Sequence, residues 1–323
     1  MFVTSVTVRV PAKINLQLAV GPLRPDGYHD LVTVFHAVSL FDDVTVTTAE
    51  TDSVRVTGEG ASLVPEDNDN LALRAVRALR EAVARGTASA LGAAADDAAA
   101  VAGGVAVTID KRIPVAGGMA GGSADAAAAL VGCNELWAAG LSQQDLCAVA
   151  SEIGSDVAFP VLGGTAVGRG RGEQLAPALA SPVEFHWVLA FANGHLSTPR
   201  VFRALDKQRA GQKAQPAELS NELMAALRTG DAGQLGAALG NDLQEPALTL
   251  FPALRKTLDA GLEAGARGAL VSGSGPTCMF LARDAAHARE IVVSLTGAGS
   301  CRAAALASGP VPGAVIVGAG EPA

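Results

Sequence analysis

Aromatic residues and cysteines are scarce in this sequence. Only 4% of the 323 residues are aromatic, although 49% are hydrophobic, so the cores must be built mainly from aliphatic side chains. The four cysteines, Cys133, Cys147, Cys278 and Cys301, form no C-x-x-C pair. This spacing excludes the common zinc-ribbon and thiol-redox motifs. Buried free thiols are typical of a reducing compartment, and we expect a cytoplasmic protein.

The sequence also lacks an excess of basic residues and a long apolar run. Its 24 Lys and Arg stand against 32 Asp and Glu, for a net charge of −8. A nucleic-acid partner bound by charge is therefore not expected. No uninterrupted apolar span reaches 18 residues, and residues 1–10 carry neither a basic nor an apolar segment. We expect no membrane helix and no secretory signal, and a monomer or weak homodimer.

Glycine, in contrast, is concentrated in the segment Pro114–Leu130. Four glycines fall between Gly117 and Gly122, and Ser123 then opens a run of helix formers that reaches Trp137. The pattern predicts a glycine-rich loop at a helix N-terminus, where unpaired backbone N–H groups and the helix dipole attract anions. A plain Gly/Ala turn before a buried helix is the alternative. The density of glycine favours a phosphate site.

Two common phosphate-binding motifs do not fit this loop. A Walker A loop needs a Lys where Ser123 stands. In a dinucleotide G-x-G-x-x-G loop, Met119 would occupy the second glycine position. A nucleotide bound here must therefore obtain its cation from elsewhere in the chain.

One candidate cation lies near the N-terminus. Pro11 separates two predicted strands, Val6–Val10 and Ile14–Val20. Period-two alternation puts Lys13 and Asn15 on one face of the second strand. A solvated polar face is the alternative interpretation of that pattern.

Other candidates have an equally ordinary alternative. Tyr28, the only tyrosine, follows the turn residues 25–27 and is either a packing residue or a ligand contact. Asp156 precedes a short helix that Pro160 ends, and is either a helix cap or a reactive acid. The Gly-rich segment Gly168–Gly172 is predicted to be a hairpin, because no helix follows it.

The chain changes character near residue 180, which predicts two domains, 1–180 and 181–323. In the first, a helix is expected from Asn70 to Val83, and Ser142 with Asp145 fits a capping box for another. The low-complexity segment Gly86–Gly104 is expected to be a flexible insertion. The Gly/Pro-rich end, 309–323, is expected to be loosely held.

Three stretches, Pro11–Leu16, Pro114–Ala129 and Ser272–Thr277, resemble in order and spacing the three motifs of the GHMP kinases (galactokinase, homoserine kinase, mevalonate kinase and phosphomevalonate kinase). Asp26–His29 and Thr198–Phe202 resemble one branch of that superfamily. The resemblance implies an α+β, two-domain GHMP kinase fold. Its N-terminal domain would be like domain 2 of ribosomal protein S5, and its C-terminal domain would be ferredoxin-like.

The resembled branch also implies an activity. It is ATP-dependent phosphorylation of the 2-hydroxyl of 4-diphosphocytidyl-2-C-methyl-D-erythritol, in non-mevalonate isoprenoid biosynthesis. The alternative is another GHMP small-molecule kinase, of the homoserine or mevalonate type. A non-catalytic binding protein on the same scaffold would be expected to lose Lys13 or Asp156, and both are present.

The resemblance further implies roles for particular residues. Lys13 and Asp156 would be the catalytic pair, with ATP as co-substrate and Ser123 as a candidate Mg²⁺ ligand. The cytidyl diphosphate substrate would be held by Asn15, Tyr28, His29, Thr198 and Phe202. The ATP-binding residues would be Lys111, Pro114, Val115, Ala116, Gly117, Gly118, Met119, Ala120, Gly121, Gly122, Ser123 and Ala124.

Overall fold

The computed structural model describes residues 4–86, 103–115, 117–213 and 215–320. The predicted insertion at 86–104 lies almost entirely outside the described residues, as does Ala116 of the glycine loop. Within the described residues, no helix has the length and apolar character needed to cross a membrane.

Two long antiparallel strands organise the N-terminal half. They are β1 (Ser5–Leu23) and β2 (His29–Ala49), which pair along most of their length within an eight-stranded sheet. The prediction that Pro11 divides two strands is wrong. β1 continues through it, because the register shifts between Pro11 and Ala12, and proline is tolerated at such irregularities. The other elements of this half are β3 (Ser53–Gly58), a 3-10 turn (Ala61–Leu63), α1 (Leu71–Ala84), β4 (Gly104–Lys111), α2 (Gly121–Leu136), α3 (Gln143–Ile153), α4 (Ala158–Leu162), β5 (Thr165–Gly170) and β6 (Gln174–Pro177).

The capping residues in the sequence correctly predicted where two helices begin. The Asn70 side chain caps α1 by accepting a hydrogen bond from the Ala72 backbone N–H. The predicted capping box of Ser142 and Asp145 begins α3. β5 and β6 form the predicted hairpin around residues 168–172.

The C-terminal half has a ferredoxin-like core, as predicted. Its four antiparallel strands are β7 (Phe185–Phe191), β9 (Gly268–Val271), β10 (Cys278–Leu281) and β11 (Ala303–Gly309). Their order in the sheet is β11-β7-β10-β9, and helices lie between β7 and β9 and between β10 and β11. This βαββαβ succession defines the ferredoxin-like motif. The other elements of this half are α5 (Thr198–Arg209), α6 (Asn221–Thr229), α7 (Ala232–Ala238), β8 (Gly240–Asn241), α8 (Gln244–Leu250), α9 (Ala253–Glu263) and α10 (Ala285–Gly297).

The last strand, β12 (Val315–Gly320), returns to the N-terminal sheet. It pairs antiparallel with the first residues of β1, where Ser5 lies opposite Gly320. The prediction that residues 309–323 are loosely held is therefore wrong for this strand, because its backbone groups complete the edge of β1. The domain division at residue 180 stays a prediction.

The two halves also share core packing. Trp187 and Leu189 of β7 belong to the same buried apolar cluster as the valines of β1 and the alanines of α2. The four cysteines are free thiols, as expected from their spacing. Burial raises the pKa of Cys278 to about 12, so this thiol stays protonated at neutral pH.

Candidate active site

The three motifs identified in the sequence meet at the glycine loop. The loop lies between β1 and the segment 272–277, and the Lys13 backbone N–H donates to the Met119 carbonyl at 3.3 Å. Gly118 has a φ of +75°, and a Cβ added there would lie 2.3 Å from the Ser272 carbonyl oxygen. Only glycine permits both this conformation and this close approach. The fold therefore brings together motifs that are more than 100 residues apart.

The loop leads into a helix N-terminus that no side chain caps. α2 begins at Gly121, two residues before the predicted start at Ser123. Its N-cap is Ala120, at a φ of 58°, and no side-chain hydrogen bond satisfies the first turn. The backbone N–H groups of that turn are thus available to an anion, and the helix dipole favours negative charge there.

A cavity of about 360 Å³ in front of this helix, here called the central cavity, contains the predicted catalytic pair. The Lys13 Nζ lies 3.8 Å from the Asp156 Oδ2. Nζ also donates to the Asn15 Oδ1 at 2.7 Å and to the Gly118 carbonyl at 3.1 Å. Burial lowers the pKa of Lys13, and the neighbouring Asp156 carboxylate opposes that shift. The ammonium group therefore donates two hydrogen bonds at the edge of the loop and also faces the Asp156 carboxylate.

Asp156 does not act as a helix cap. α4 has Val157 as its N-cap, with no side-chain cap hydrogen bond. The Asp156 side chain is 36% exposed and lines the central cavity together with Ser123. A carboxylate that is accessible, next to a buried lysine and without a capping function is suited to proton transfer.

Asn15 positions Lys13 rather than pointing freely into the cavity. Its Nδ2 donates to the Thr33 Oγ1 at 2.8 Å, and that hydroxyl donates to the Gln17 carbonyl at 2.7 Å. This arrangement fixes the amide so that its oxygen faces the lysine. Asn15 lines the central cavity, and its predicted contact with a substrate stays a prediction. The contribution of Thr33 had no signal in the sequence.

Lys111, predicted to lie near a nucleotide, is the centre of a buried ion cluster. Its Nζ lies 2.6 Å from the Asp42 Oδ2 and 2.7 Å from the Asp125 Oδ2. Burial opposes ionisation of this lysine, but the two carboxylates together raise the pKa of Lys111. Burial, together with the nearby Asp42, raises the pKa of Asp125 to about 8.

The ion cluster of Lys111, Asp42 and Asp125 also holds the backbone that leads into the glycine loop. The Asp42 Oδ1 accepts a hydrogen bond from the Ile113 backbone N–H at 2.8 Å, just before the glycine loop. Lys111 and Asp125 line a cavity of about 190 Å³, here called the loop cavity, together with Gly121 and Gly122. Sequence reasoning missed both acids. The signal for Asp125 was a lone acid in an alanine-rich helix.

A third cavity, of about 590 Å³ and called here the tyrosine cavity, contains four of the five residues predicted to hold the cytidyl diphosphate substrate, all except Asn15. Tyr28 is 55% exposed, and the Arg171 guanidinium lies 5.1 Å above the centre of its ring. Phe202 stacks on the His29 ring at 5.2 Å between centroids. The structure thus gives Tyr28 and Phe202 different stacking partners.

The tyrosine cavity and the central cavity are adjacent. Thr198, Phe202 and Arg171 line both of them. The Thr198 and Ser274 hydroxyls are 2.8 Å apart, so the first residue of α5 contacts the third motif. A ligand bound in the tyrosine cavity can therefore extend to Lys13.

The predicted Mg²⁺ site has few candidate side-chain ligands among the described residues. Among the described residues, no group of three or more His, Cys, Asp and Glu side chains is arranged to hold a metal ion. Ser123 and Asp156 are among the side chains with oxygen donors that line the central cavity. This set fits Mg²⁺, which retains waters and binds through one or two protein oxygens plus phosphates.

Comparisons with known proteins agree with this geometry. Residues 70–164 match the model of the GHMP kinases N terminal domain, and residues 223–301 match GHMP kinases C terminal. The chain is 55% identical over 315 residues to a 4-diphosphocytidyl-2-C-methyl-D-erythritol kinase of Mycolicibacterium smegmatis, covering 97% of this chain and 92% of the relative. A kinase of the same name from Nocardia farcinica is 53% identical over 314 residues, covering 97% and 96%.

Solved structures give the same result. A crystal structure of 4-(cytidine 5'-diphospho)-2C-methyl-D-erythritol kinase aligns with a TM-score of 0.72 at 32% identity, covering 93% of this chain and 98% of the other. Homoserine kinase from Cytophaga hutchinsonii aligns with a TM-score of 0.71 over 97% of each chain, but at 19% identity it shows the shared fold alone. The chain therefore belongs to the GHMP kinases and, within them, to the 4-diphosphocytidyl-2-C-methyl-D-erythritol kinases.

Proposed function

We propose that this chain transfers the γ-phosphoryl group of ATP to the 2-hydroxyl of 4-diphosphocytidyl-2-C-methyl-D-erythritol, a step of non-mevalonate isoprenoid biosynthesis. The observation that carries the proposal is the Lys13–Asp156 pair, 3.8 Å apart, facing an uncapped helix N-terminus. The relatives named above supply the identity of the acceptor.

The chemistry follows from the positions of the two side chains. Asp156 accepts the proton of the acceptor hydroxyl. The oxygen of that hydroxyl forms a bond to the γ-phosphorus of ATP, and the bond between this phosphorus and the bridging oxygen breaks, so that ADP leaves with that oxygen. Lys13 stabilises the negative charge on the transferred group. Phosphoryl transfer depends mainly on positioning and charge neutralisation, and both are provided by groups fixed before substrate binds.

ATP would lie along the glycine loop. Its phosphates would contact the backbone N–H groups of Gly121 and Gly122, and its base would enter the loop cavity beside Leu63 and Val64, whose apolar side chains suit a flat ring. Mg²⁺, when bound, would neutralise phosphate charge. Ser123 is the side chain we assign to it.

The acceptor would occupy the tyrosine cavity and reach into the central cavity. The cytosine would stack on Tyr28 or Phe202, and the methylerythritol would extend to Asp156 through the part of the two cavities that they share. His29 is held by Asp206, with Nε2 and Oδ1 2.9 Å apart, so its ring orientation is fixed. The cytoplasmic location and the monomer or weak homodimer state stay predictions.

Replacing Tyr28 tests the placement of the base. Tyr28→Ala should raise the KM for the cytidyl acceptor by about 5- to 150-fold, the equivalent of about 1–3 kcal/mol per stacked base. The KM for ATP should hardly change, because the glycine loop is on other elements. Tyr28→Phe retains the ring and should keep most of the affinity. Equal losses for ATP and acceptor would show that Tyr28 only supports packing.

The activity itself is tested by ATP consumption with a panel of acceptors. The purified chain should consume ATP with 4-diphosphocytidyl-2-C-methyl-D-erythritol and not with homoserine or mevalonate. Turnover with homoserine or mevalonate in its place would establish one of the other GHMP kinase activities. Binding of ATP without turnover of any acceptor would favour a non-catalytic protein.

A further inference from the structure

Arg171 lies at the point where the two substrate-facing cavities join. It is the only cationic side chain among the described residues that lines both the tyrosine cavity and the central cavity. Lys13 lines only the central cavity, and Arg203 lines only the tyrosine cavity. A ligand that spans the two cavities must therefore pass Arg171.

The turn of the β5–β6 hairpin positions Arg171 between the two cavities. Its N–H donates to the Glu173 carboxylate at 2.7 Å, which fixes the turn of the β5–β6 hairpin. Gly172 has a φ of +109°, and a Cβ there would lie 3.5 Å from the Phe35 ring and 3.9 Å from the Asp156 Oδ1. The positive φ favours glycine at this position, and the turn lies beside the Asp156 carboxylate.

Among the described residues, the Arg171 guanidinium group has no carboxylate partner. No ion pair among the described residues includes Arg171, and its charged group lies over the face of the Tyr28 ring. Lys13, in contrast, is already bound by Asn15 and Asp156. Arg171 thus presents positive charge that the protein itself does not neutralise, supported by a cation–π contact.

We infer that Arg171 binds the diphosphate of the acceptor and so couples recognition of the base to placement of the hydroxyl. The inference rests on the proposed function, since it takes a base in the tyrosine cavity and an alcohol in the central cavity. The diphosphate that links them then lies beside the guanidinium. A planar guanidinium can donate two parallel hydrogen bonds to phosphate oxygens, which fixes the orientation of the group as well as its position.

Competition by cytidine and CDP separates this role from simple stacking on Tyr28. Arg171→Gln removes the charge and keeps much of the side-chain length. It should weaken CDP binding by about 10- to 100-fold, the range expected for a lost hydrogen bond to a charged group. Cytidine binding and the KM for ATP should stay unchanged. Arg171→Lys keeps the positive charge but cannot donate two parallel hydrogen bonds from a planar group, and it should retain more of the CDP affinity than Arg171→Gln.

Arg169 provides a matched control on the same hairpin. It is exposed and lines neither cavity, so Arg169→Gln should leave both CDP and cytidine binding unchanged. Equal losses of CDP and cytidine binding in Arg171→Gln, or no loss of CDP binding, would overturn the inference. The wild-type chain is assayed with the acceptor in parallel. Lack of wild-type turnover would overturn the proposed function, whereas normal wild-type turnover with unchanged CDP binding in Arg171→Gln would overturn this inference alone.

Discussion

Asp156→Asn should lower kcat by about 10²- to 10⁴-fold, the scale of a lost general base. The amide has nearly the size of the carboxylate but cannot accept the proton of the acceptor hydroxyl. The midpoint of thermal unfolding should change little, because α4 is capped at Val157 without help from a side chain. Steady-state turnover and a thermal melt of the same preparation measure the two effects.

Asp145 is the matched control for this variant. It is an exposed acid in the capping box of α3, and neither the central nor the tyrosine cavity includes it. Asp145→Asn should leave kcat unchanged and cost at most about 1 kcal/mol of stability, as expected for a weakened cap. If Asp156→Asn retained near-wild-type turnover, Asp156 would only orient the acceptor and the proton would leave by another route.

Lys111→Met should reduce the free energy of unfolding by about 3–5 kcal/mol, the usual cost of removing one partner from a buried ion cluster. The substitution keeps the apolar stem but leaves Asp42 and Asp125 buried next to each other without a cation. Urea unfolding at pH 7 measures the loss. Lys256→Met changes an exposed lysine of α9 and should alter stability by less than about 0.5 kcal/mol.

The pH dependence of that variant distinguishes a charge effect from lost packing. Burial and Asp42 already raise the pKa of Asp125 to about 8 in the native protein, and the loss of Lys111 removes the main opposing charge. A carboxyl whose pKa is raised by folding favours the folded state when protonated, so stability falls as pH rises from about 4 to 8. In the wild-type chain this fall ends near the Asp125 pKa of about 8, whereas in Lys111→Met it should continue above pH 8, so the deficit of the variant should widen there. A deficit that does not change with pH would indicate lost packing instead, and Lys111→Met with Asp125→Asn should recover part of the loss.

Features of the molecule that depend on neighbouring residues were predictable from the sequence. The Asn70 cap and the capping box at Ser142 involve contacts within three residues, and both helices begin as predicted. The glycine loop and its helix were found for the same reason, although α2 begins two residues early. The pairing of Lys13 with Asp156 was accessible only through the resemblance to known kinases, since 143 residues separate them.

Features that depend on distant partners were missed or wrongly predicted. Nothing near Asp42 in the sequence indicates that it meets Lys111, and the position of Arg171 above Tyr28 results from the pairing of β2 with β5. The division of β1 at Pro11 was predicted from the presence of the proline alone. A register shift supplied by the partner strand removes that constraint, and no local pattern encodes it.

The return of β12 to the first sheet also bears on aggregation. The first residues of β1, Ser5–Arg9, have β2 on one side and β12 on the other. Without β12 their outer row of backbone N–H and C=O groups would form an open, valine-rich edge, and such edges pair readily with strands of other molecules. Proteolytic cleavage between β11 and β12 would therefore keep the residues of the cavities and the catalytic pair in the remaining chain. It would also expose a strand edge through which molecules of the enzyme associate with each other.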